Sequence, residues 1–193
     1  RGCGPGPAYR GPVPSNPTRP VQALVLADTH LRAEGLGAMP DEVWELAASA
    51  DVVLHAGDVV EQAVLDALGE RAPTYAVLGN NDHGLARALP EQLERELGGV
   101  RVAMVHDAGA RAGRGRRMAR RFPDADVVVF GHSHEPVVER VEGGLLLCNP
   151  GSPTQRRRQP VHTVGWLVLA DGAVTSAEIL EVGPLSDRTG HPG

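Results

Sequence analysis

The stretch VQALVLADTH, residues 21–30, joins a run of apolar residues to a polar triplet that ends in histidine. A continuous apolar run of this length predicts a strand buried on both faces, followed by a loop at Asp28-Thr29-His30. Strands of this kind belong to sheets that are covered by helices, so the stretch favours an α/β fold.

The same arrangement recurs along the next hundred residues. Further apolar runs predict buried strands at residues 51–56, 74–78, 100–105 and 126–130. Helical spacing and turn residues predict helices at residues 40–50, 61–68, 90–97 and 113–122. After residue 136, short strands separated by glycine turns predict antiparallel hairpins at residues 137–141, 145–148, 163–169 and 174–179.

The two ends of the chain differ from its centre. Residues 1–20 are rich in proline and glycine and have no apolar periodicity, so we expect a flexible tail there. The folded domain is expected at residues 21–182, with a loose C-terminal tail at residues 183–193.

The composition argues against several classes of protein. The net charge of −5 is unlike that of a protein that coats nucleic acid, and basic runs at residues 111–121 and 156–158 fit solvated faces. The two cysteines, Cys3 and Cys148, cannot form a disulfide framework, which favours a reducing, cytoplasmic setting. No apolar run reaches the roughly 18 residues that span a bilayer, so we expect no membrane segment.

Each of the five predicted α/β strands is followed by side chains that can bind a metal ion. Because the carboxyl ends of parallel strands meet at one edge of a sheet, we expect them to lie together. The candidates are Asp28, His30, Asp58, Asn80, His106, His132 and His134. Carboxylate, imidazole and amide ligands suit Mn²⁺, Fe²⁺, Co²⁺, Ni²⁺ or Zn²⁺. Each short motif taken alone also fits an ordinary turn. Together, however, the seven potential ligands are more than one tetrahedral ion needs, and they fit two ions that share a carboxylate.

The motifs D-x-H, G-D, G-N, an isolated H and G-H-x-H appear here in that order, followed by Asn149-Pro150-Gly151-Ser152. This pattern resembles the calcineurin-like metallophosphoesterases, and in particular the small YfcE-like phosphodiesterase group. The resemblance implies a four-layer α/β/β/α sandwich with mixed sheets, and two divalent cations with manganese preferred. It implies a nucleophilic hydroxide between the two ions. It assigns Asp28, His30 and His134 to the first ion, Asn80, His106 and His132 to the second, and Asp58 to both.

The chain departs from this family after the G-N motif. Many members have a histidine there, and the small group often has a cysteine, whereas this chain has Asn81. An amide cannot act as a general acid, so we expect Asn81 to donate a hydrogen bond to a phosphoryl oxygen. Asp82 is predicted either to orient a ligand histidine during catalysis or to cap the segment that follows. Arg156 is the candidate for contact with a substrate phosphate, and His55 for core packing or support of a ligand.

These patterns predict a phosphoesterase, most simply a phosphodiesterase that acts on a small phosphate ester. A protein-binding scaffold on the same fold, as in the retromer subunit, is the alternative, but all seven ligand positions carry competent side chains. A nuclease is disfavoured by the acidic charge. The C-terminal hairpins offer a strand edge on which a homo-oligomer can form.

Overall fold

The computed structural model describes residues 19–183, and two five-stranded sheets stand at its centre. The predicted tails fall almost wholly outside the described residues. In the first sheet, the strand order is β10-β9-β1-β2-β3. Its parallel strands are β1 (Val21–Leu26), β2 (Val52–His55) and β3 (Thr74–Ala76), and its antiparallel hairpin is β9 (His162–Ala170) with β10 (Ala173–Val182).

The second sheet has the strand order β4-β5-β6-β8-β7. Three of its strands run parallel to one another, namely β5 (Val100–Val105), β6 (Val127–Val129) and β8 (Leu146–Asn149). Both outer strands are antiparallel to their neighbours, namely β4 (Gln92–Leu97) and β7 (Val137–Arg140). Both sheets are therefore mixed.

Alternation along the strands explains the layers. Ala23 and Val25 of β1 pack into the core between the two sheets, whereas Leu24 and Leu26 point to the opposite face. That face is covered by α1 (Asp41–Ser49) and α2 (Gln62–Gly69), with a 3₁₀ helix at Ala33–Ala38. Helix α3 (Arg114–Arg121) covers the outer face of the second sheet through Met118. The α/β/β/α sandwich expected from the sequence is confirmed.

The helix predicted at residues 90–97 is wrong, because this segment is strand β4. Its Glu, Gln, Leu and Arg residues are good helix formers, but pairing with β5 overrides that weak preference. Gly98 and Gly99 both have positive φ, at 57° and 77°, and they join Leu97 to Val100 as a two-residue hairpin turn. The glycine pair therefore marks a hairpin and not the end of a helix.

The two C-terminal hairpins join different sheets. Strands β7 and β8 extend the second sheet, whereas β9 and β10 return to the first sheet, where β10 is an edge strand. Homo-oligomerisation through this edge stays a prediction. Among the described residues, no helix is long and apolar enough to cross a bilayer.

Candidate metal centre

The seven candidate ligands lie on loops at the carboxyl ends of strands from both sheets. The first sheet provides four of them, after β1, β2 and β3, and the second sheet provides three, after β5 and β6. The single sheet edge expected from the sequence is therefore a junction between two sheets. Backbone hydrogen bonds hold the loops together: the Asp28 amide donates to Gly57, and the Gly131 amide donates to His106.

Three side chains form the first group of potential ligands. The Nε2 atom of His134 lies 3.3 Å from Asp28 Oδ1 and 3.3 Å from His30 Nε2, and His30 Nε2 lies 3.8 Å from the same Asp28 oxygen. Bonds of about 2.1 Å to a shared ion would separate two donor atoms by about 3.0–3.4 Å. Two of the three separations match that spacing, and the third, between His30 and Asp28, exceeds it by about 0.4 Å, so the group is arranged around one small cation.

The second group is centred on Asn80. Its Oδ1 atom lies 3.1 Å from His106 Nε2 and 2.9 Å from His132 Nδ1. Asp58 stands between the groups, with its Oδ2 atom 3.5 Å from His30 Nε2 and 3.5 Å from His106 Nε2. Asp58 is thus the carboxylate placed to contact ions in both groups.

Backbone carbonyls select the tautomers of two histidines. The Nδ1–H of His134 donates to the carbonyl of Gln155 at 2.5 Å, and the Nδ1–H of His106 donates to that of Ala56 at 2.7 Å. A carbonyl can only accept, so in the neutral rings both Nε2 atoms carry a lone pair. These lone pairs face Asp28 and Asn80 oxygens, an arrangement that a cation between them stabilises.

The burial of Asp28 provides a test of whether a cation fits. Its side chain is fully buried, and neither carboxylate oxygen accepts a hydrogen bond from the described residues. Burial raises the pKa of Asp28 to about 7, because an ionised carboxylate there lacks solvation. A buried, unpaired carboxylate costs several kcal/mol, and a coordinated cation removes that cost. The donor set therefore fits divalent metal ions.

Four of the other ligand candidates also have shifted pKa values. Burial lowers the pKa of His30 and lowers that of His134 to about 4. Burial opposes ionisation of Asp58, but hydrogen bonds from His106 and Asn81 outweigh it and hold the pKa of Asp58 well below its usual range. For His106, burial is outweighed by the bonds to Asp58 and Ala56, so its pKa is raised. Without metal, a proton on Asp28 removes the cost of a buried charge at that position.

The backbone of these loops is strained. Asp28, His30, Asp58, His132 and His134 have φ values between 47° and 67°. Non-glycine residues rarely adopt this region, and each such residue costs on the order of 1 kcal/mol or more. Five of the seven candidates therefore have strained backbone conformations, which stability alone would not favour and which are typical of functional sites.

Glycines before the ligands allow the loops to approach one another. A Cβ atom on Gly79 would lie 2.1 Å from the Asp58 amide nitrogen. A Cβ on Gly131 would lie 2.8 Å from the Ala27 Cβ and 2.9 Å from Asp28 Oδ2. Gly79 of the G-N motif is thus required where two loops of the first sheet pack together, and Gly131 of the G-H-x-H motif where a loop of the second sheet packs on the loop after β1.

Asp82 organises the backbone around the ligand loops, and its expected role in orienting a ligand histidine stays a prediction. Its side chain makes no cap bond to the 3₁₀ helix that follows at His83–Leu85. Its buried carboxylate accepts hydrogen bonds from the amides of Asp58 at 3.0 Å, Val60 at 2.6 Å and Gly79 at 2.7 Å. It thereby joins the loop after β2 to the loop after β3. Val60 has a φ of 82°, an unfavourable value for a β-branched residue, which this bond helps to maintain.

Asn81 contacts Asp58 through its backbone N–H and through its side-chain amide. Its backbone N–H donates to Asp58 Oδ1 at 2.8 Å, and its side-chain Nδ2 donates to Oδ2 at 2.6 Å. The side chain is exposed at the surface of the centre. It therefore orients the carboxylate that lies between the two ligand groups.

The structure places Arg157, and not Arg156, in contact with a ligand loop. Arg156 Nη1 donates to the carbonyls of Gln159 and Pro160, so its side chain turns back onto its own loop. The neighbouring Arg157 instead donates from Nη1 to the carbonyl of His132 at 3.3 Å. Sequence reasoning missed Arg157 because three consecutive arginines give no sign of which one turns inward.

The segment from Asn149 to Gln155 supports the ligand loops of both sheets. Asn149 Nδ2 donates to the carbonyl of Gly131 at 2.9 Å, and Ser152 Oγ donates to that of Asp28 at 2.8 Å. Thr154 Oγ1 donates to the carbonyl of Thr29 at 2.6 Å. The sequence singled out Asn149 and Ser152, but no pattern pointed to Thr154 or Gln155.

His55 lies fully buried beneath the D-x-H loop. Its Nε2 atom is 3.1 Å from Thr29 Oγ1, and burial lowers its pKa to about 3. A neutral ring that contacts the residue between Asp28 and His30 combines the two roles considered from the sequence, packing and support.

Solved structures share the fold. YfcE, a phosphoesterase from E. coli, matches with a TM-score of 0.56 and 22% identity, covering 84% of this chain and 100% of that chain. Vps29 from Entamoeba histolytica, solved in complex with Zn²⁺, matches with a TM-score of 0.62 and 23% identity, covering 83% of this chain and 98% of that chain. At these identities, the likeness establishes the architecture alone.

Sequence comparison gives the family. The Calcineurin-like phosphoesterase superfamily domain matches residues 21–172, a span that contains all seven candidate ligands. A probable metallophosphoesterase of Methanothermobacter thermautotrophicus is 31% identical over 163 residues, covering 82% of this chain and 91% of that protein. The chain belongs to the calcineurin-like phosphoesterase superfamily.

Proposed function

We propose that the protein is a phosphodiesterase that holds two divalent metal ions, with manganese preferred, and hydrolyses small phosphate esters. The observation that carries this proposal is the position of Asp58. One oxygen of this carboxylate is equidistant, at 3.5 Å, from histidines of the two ligand groups. A carboxylate so placed is suited to contact both ions of a pair.

One ion would be held by Asp28, His30 and His134, and the other by Asn80, His106 and His132. Asp58 would contact both ions. When bound, the ions supply an acidified water molecule as nucleophile and positive charge for the phosphoryl oxygens. Family membership supports metal-dependent ester hydrolysis, and preference for diesters extends the resemblance to the small phosphodiesterase group.

The chain's own residues prepare the site for this chemistry. Gln155 and Ala56 hold the tautomers of His134 and His106, so their Nε2 atoms face the centre without reorganisation. Asn81 orients Asp58. Because the Asn81 amide has no titratable proton, we expect the reaction to depend on good leaving groups or on water for proton delivery.

Turnover tests the proposal directly. Protein loaded with Mn²⁺ or Ni²⁺ is expected to hydrolyse bis-nitrophenyl phosphate faster than nitrophenyl phosphate. Asp58→Asn should lower kcat/KM about a hundredfold or more, because it weakens both metal groups. The matched control is Asp66→Asn on the exposed face of α2, which should leave activity unchanged.

A second function is a protein-binding scaffold, which the fold shared with Vps29 favours. This reading predicts no turnover with any ester, whether or not metal is bound. Hydrolysis of single-stranded DNA at rates comparable to those for small diesters would instead indicate a nuclease.

A further inference from the structure

Arg157 stands at the border of the metal centre. Its backbone has a φ of 50°, a left-handed conformation that is uncommon for arginine. The Nη1 atom donates to the carbonyl oxygen of His132, one of the candidate ligands, at 3.3 Å. The residue is exposed, so its guanidinium is anchored at one point and otherwise accessible to a ligand in solution.

The positive charge of Arg157 acts on the first ligand group. It is among the charges that influence Asp28, His30 and His134. No carboxylate forms a salt bridge with Arg157 among the described residues. An arginine whose charge is not neutralised, beside a centre built for cations, attracts an anion.

A guanidinium group also has the shape for phosphate. Its planar array of N–H donors matches two oxygens of a phosphate group, and charge-assisted bonds of this type are stronger than neutral ones. One donor is engaged by the His132 carbonyl, which fixes the direction of the group and leaves its other donors for an anion.

We propose that Arg157 binds an anionic oxygen of the phosphate-ester substrate beside the metal centre. The inference rests on the proposed function, since it places a substrate phosphate at that centre. It assigns to Arg157 the contact for which the sequence had suggested Arg156.

Arg156 provides a matched control. It is adjacent in sequence, equally charged and exposed, but its guanidinium bonds to carbonyls of its own loop. Replacing either arginine with alanine removes one positive charge and keeps a Cβ atom at that position. A difference between the variants therefore reports the position of the guanidinium group and not net charge.

The experiment measures binding of inorganic phosphate to Mn²⁺-loaded protein by calorimetry, and KM and kcat for bis-nitrophenyl phosphate. For Arg157→Ala, we expect phosphate affinity to fall and KM to rise about tenfold, with kcat changed less than about threefold. Arg157→Lys should recover part of the affinity because it keeps the charge but loses the planar donors. Arg156→Ala should match the parent protein, and metal content and Tm should be equal in all variants.

Equal phosphate affinity in Arg157→Ala and Arg156→Ala would overturn the inference. So would a fall in kcat or metal content with phosphate affinity unchanged, because Arg157 would then act only by holding the loop of His132. If the parent protein turned over no ester, the proposed function would fail, but phosphate calorimetry on the same variants would still decide the role of Arg157.

Discussion

At the scale of single residues, protons and metal ions compete for the same atoms. Burial raises the pKa of Asp28 to about 7, and the pKa of His106 is raised because its bonds to Asp58 and Ala56 outweigh burial. In the metal-free protein, Asp28 keeps its proton up to about neutral pH, and His106 keeps its proton to a higher pH than an ordinary histidine. Both must release them before they can coordinate an ion.

Metal affinity should therefore increase with pH up to about 7 and then level off. Below that range, Asp28 is protonated and the raised pKa of His106 favours its protonated ring, whereas the lowered pKa values of His30 and His134 favour neutral rings. Calorimetry in buffers of different ionisation enthalpy should detect protons released on Mn²⁺ binding near pH 6. Affinity that stays constant between about pH 5.5 and about pH 7.5 would contradict this assignment.

The raised pKa of Asp28 also affects the folding stability of the metal-free protein. Since the folded protein binds a proton at Asp28 more tightly than the unfolded chain, this group's contribution is greatest below about pH 4 and falls as pH rises towards 7. The corresponding cost of ionisation is on the order of 4 kcal/mol, from roughly three pKa units at 1.36 kcal/mol each. Bound metal offsets this cost.

Asn81 should determine which leaving groups the enzyme accepts. Aryl esters, whose leaving groups need little protonation, are expected to react faster than alkyl esters of the same phosphate class. Asn81→His supplies a titratable group and should reduce the ratio of aryl-ester to alkyl-ester rates about tenfold or more, whereas Asn81→Ala should leave this ratio unchanged. Rates with nitrophenyl and alkyl diesters measure the ratio, and equal rates in the parent protein would refute the idea.

At the scale of elements, loop packing accounts for the glycines in the motifs. Gly79 stands against Asp58, and a side chain there would force the loops after β2 and β3 apart. Asp82 could not then hold both loops through the three hydrogen bonds that it accepts from backbone N–H groups. The local structure of the G-N motif is thus inseparable from the position of Asp58.

Gly79→Ala is expected to destabilise the fold by about 2 kcal/mol or more, because backbone atoms must move to relieve the clash. Gly84→Ala is the matched control, since a Cβ atom at Gly84 meets nothing within 4 Å. Urea unfolding of both variants measures the difference. A free energy of unfolding unchanged by Gly79→Ala would contradict the packing described above.

The strands and loops differ in how well the sequence alone predicts them. Apolar runs such as residues 21–26 predict buried strands because periodicity and burial agree there. The segment of β4 was predicted as a helix because its exposed residues carry helix preferences that pairing with β5 overrides. Similarly, nothing local distinguishes Arg157 from Arg156, since the loop after β8 determines which of them approaches His132.

At the scale of the whole molecule, the centre joins loops from two sheets whose apolar faces pack against each other. Four candidate ligands follow strands of the first sheet, namely Asp28, His30, Asp58 and Asn80, and the other three candidates follow strands of the second. The seven positions were identifiable from sequence because each follows a recognisable strand. Their division between two sheets was not, because strand pairing depends on contacts between distant segments.

Metal should therefore stabilise the entire fold. An ion that binds only the folded state at a hundred times its Kd adds about 2.7 kcal/mol, so Mn²⁺ should raise Tm and EDTA should lower it. The increase should be smaller in His132→Ala, which removes one ligand, than in His83→Ala, an exposed histidine on the 3₁₀ helix at His83–Leu85. Thermal scans with and without Mn²⁺ provide the comparison, and equal increases in the two variants would argue against His132 as a ligand.

Anomalous diffraction from crystals grown with Mn²⁺ tests the central claim most directly. The account predicts two anomalous peaks about 3.5–4 Å apart, one on each side of Asp58. One peak would lie among Asp28, His30 and His134, and the other among Asn80, His106 and His132. A single peak, or peaks remote from Asp58, would contradict the paired-ion centre.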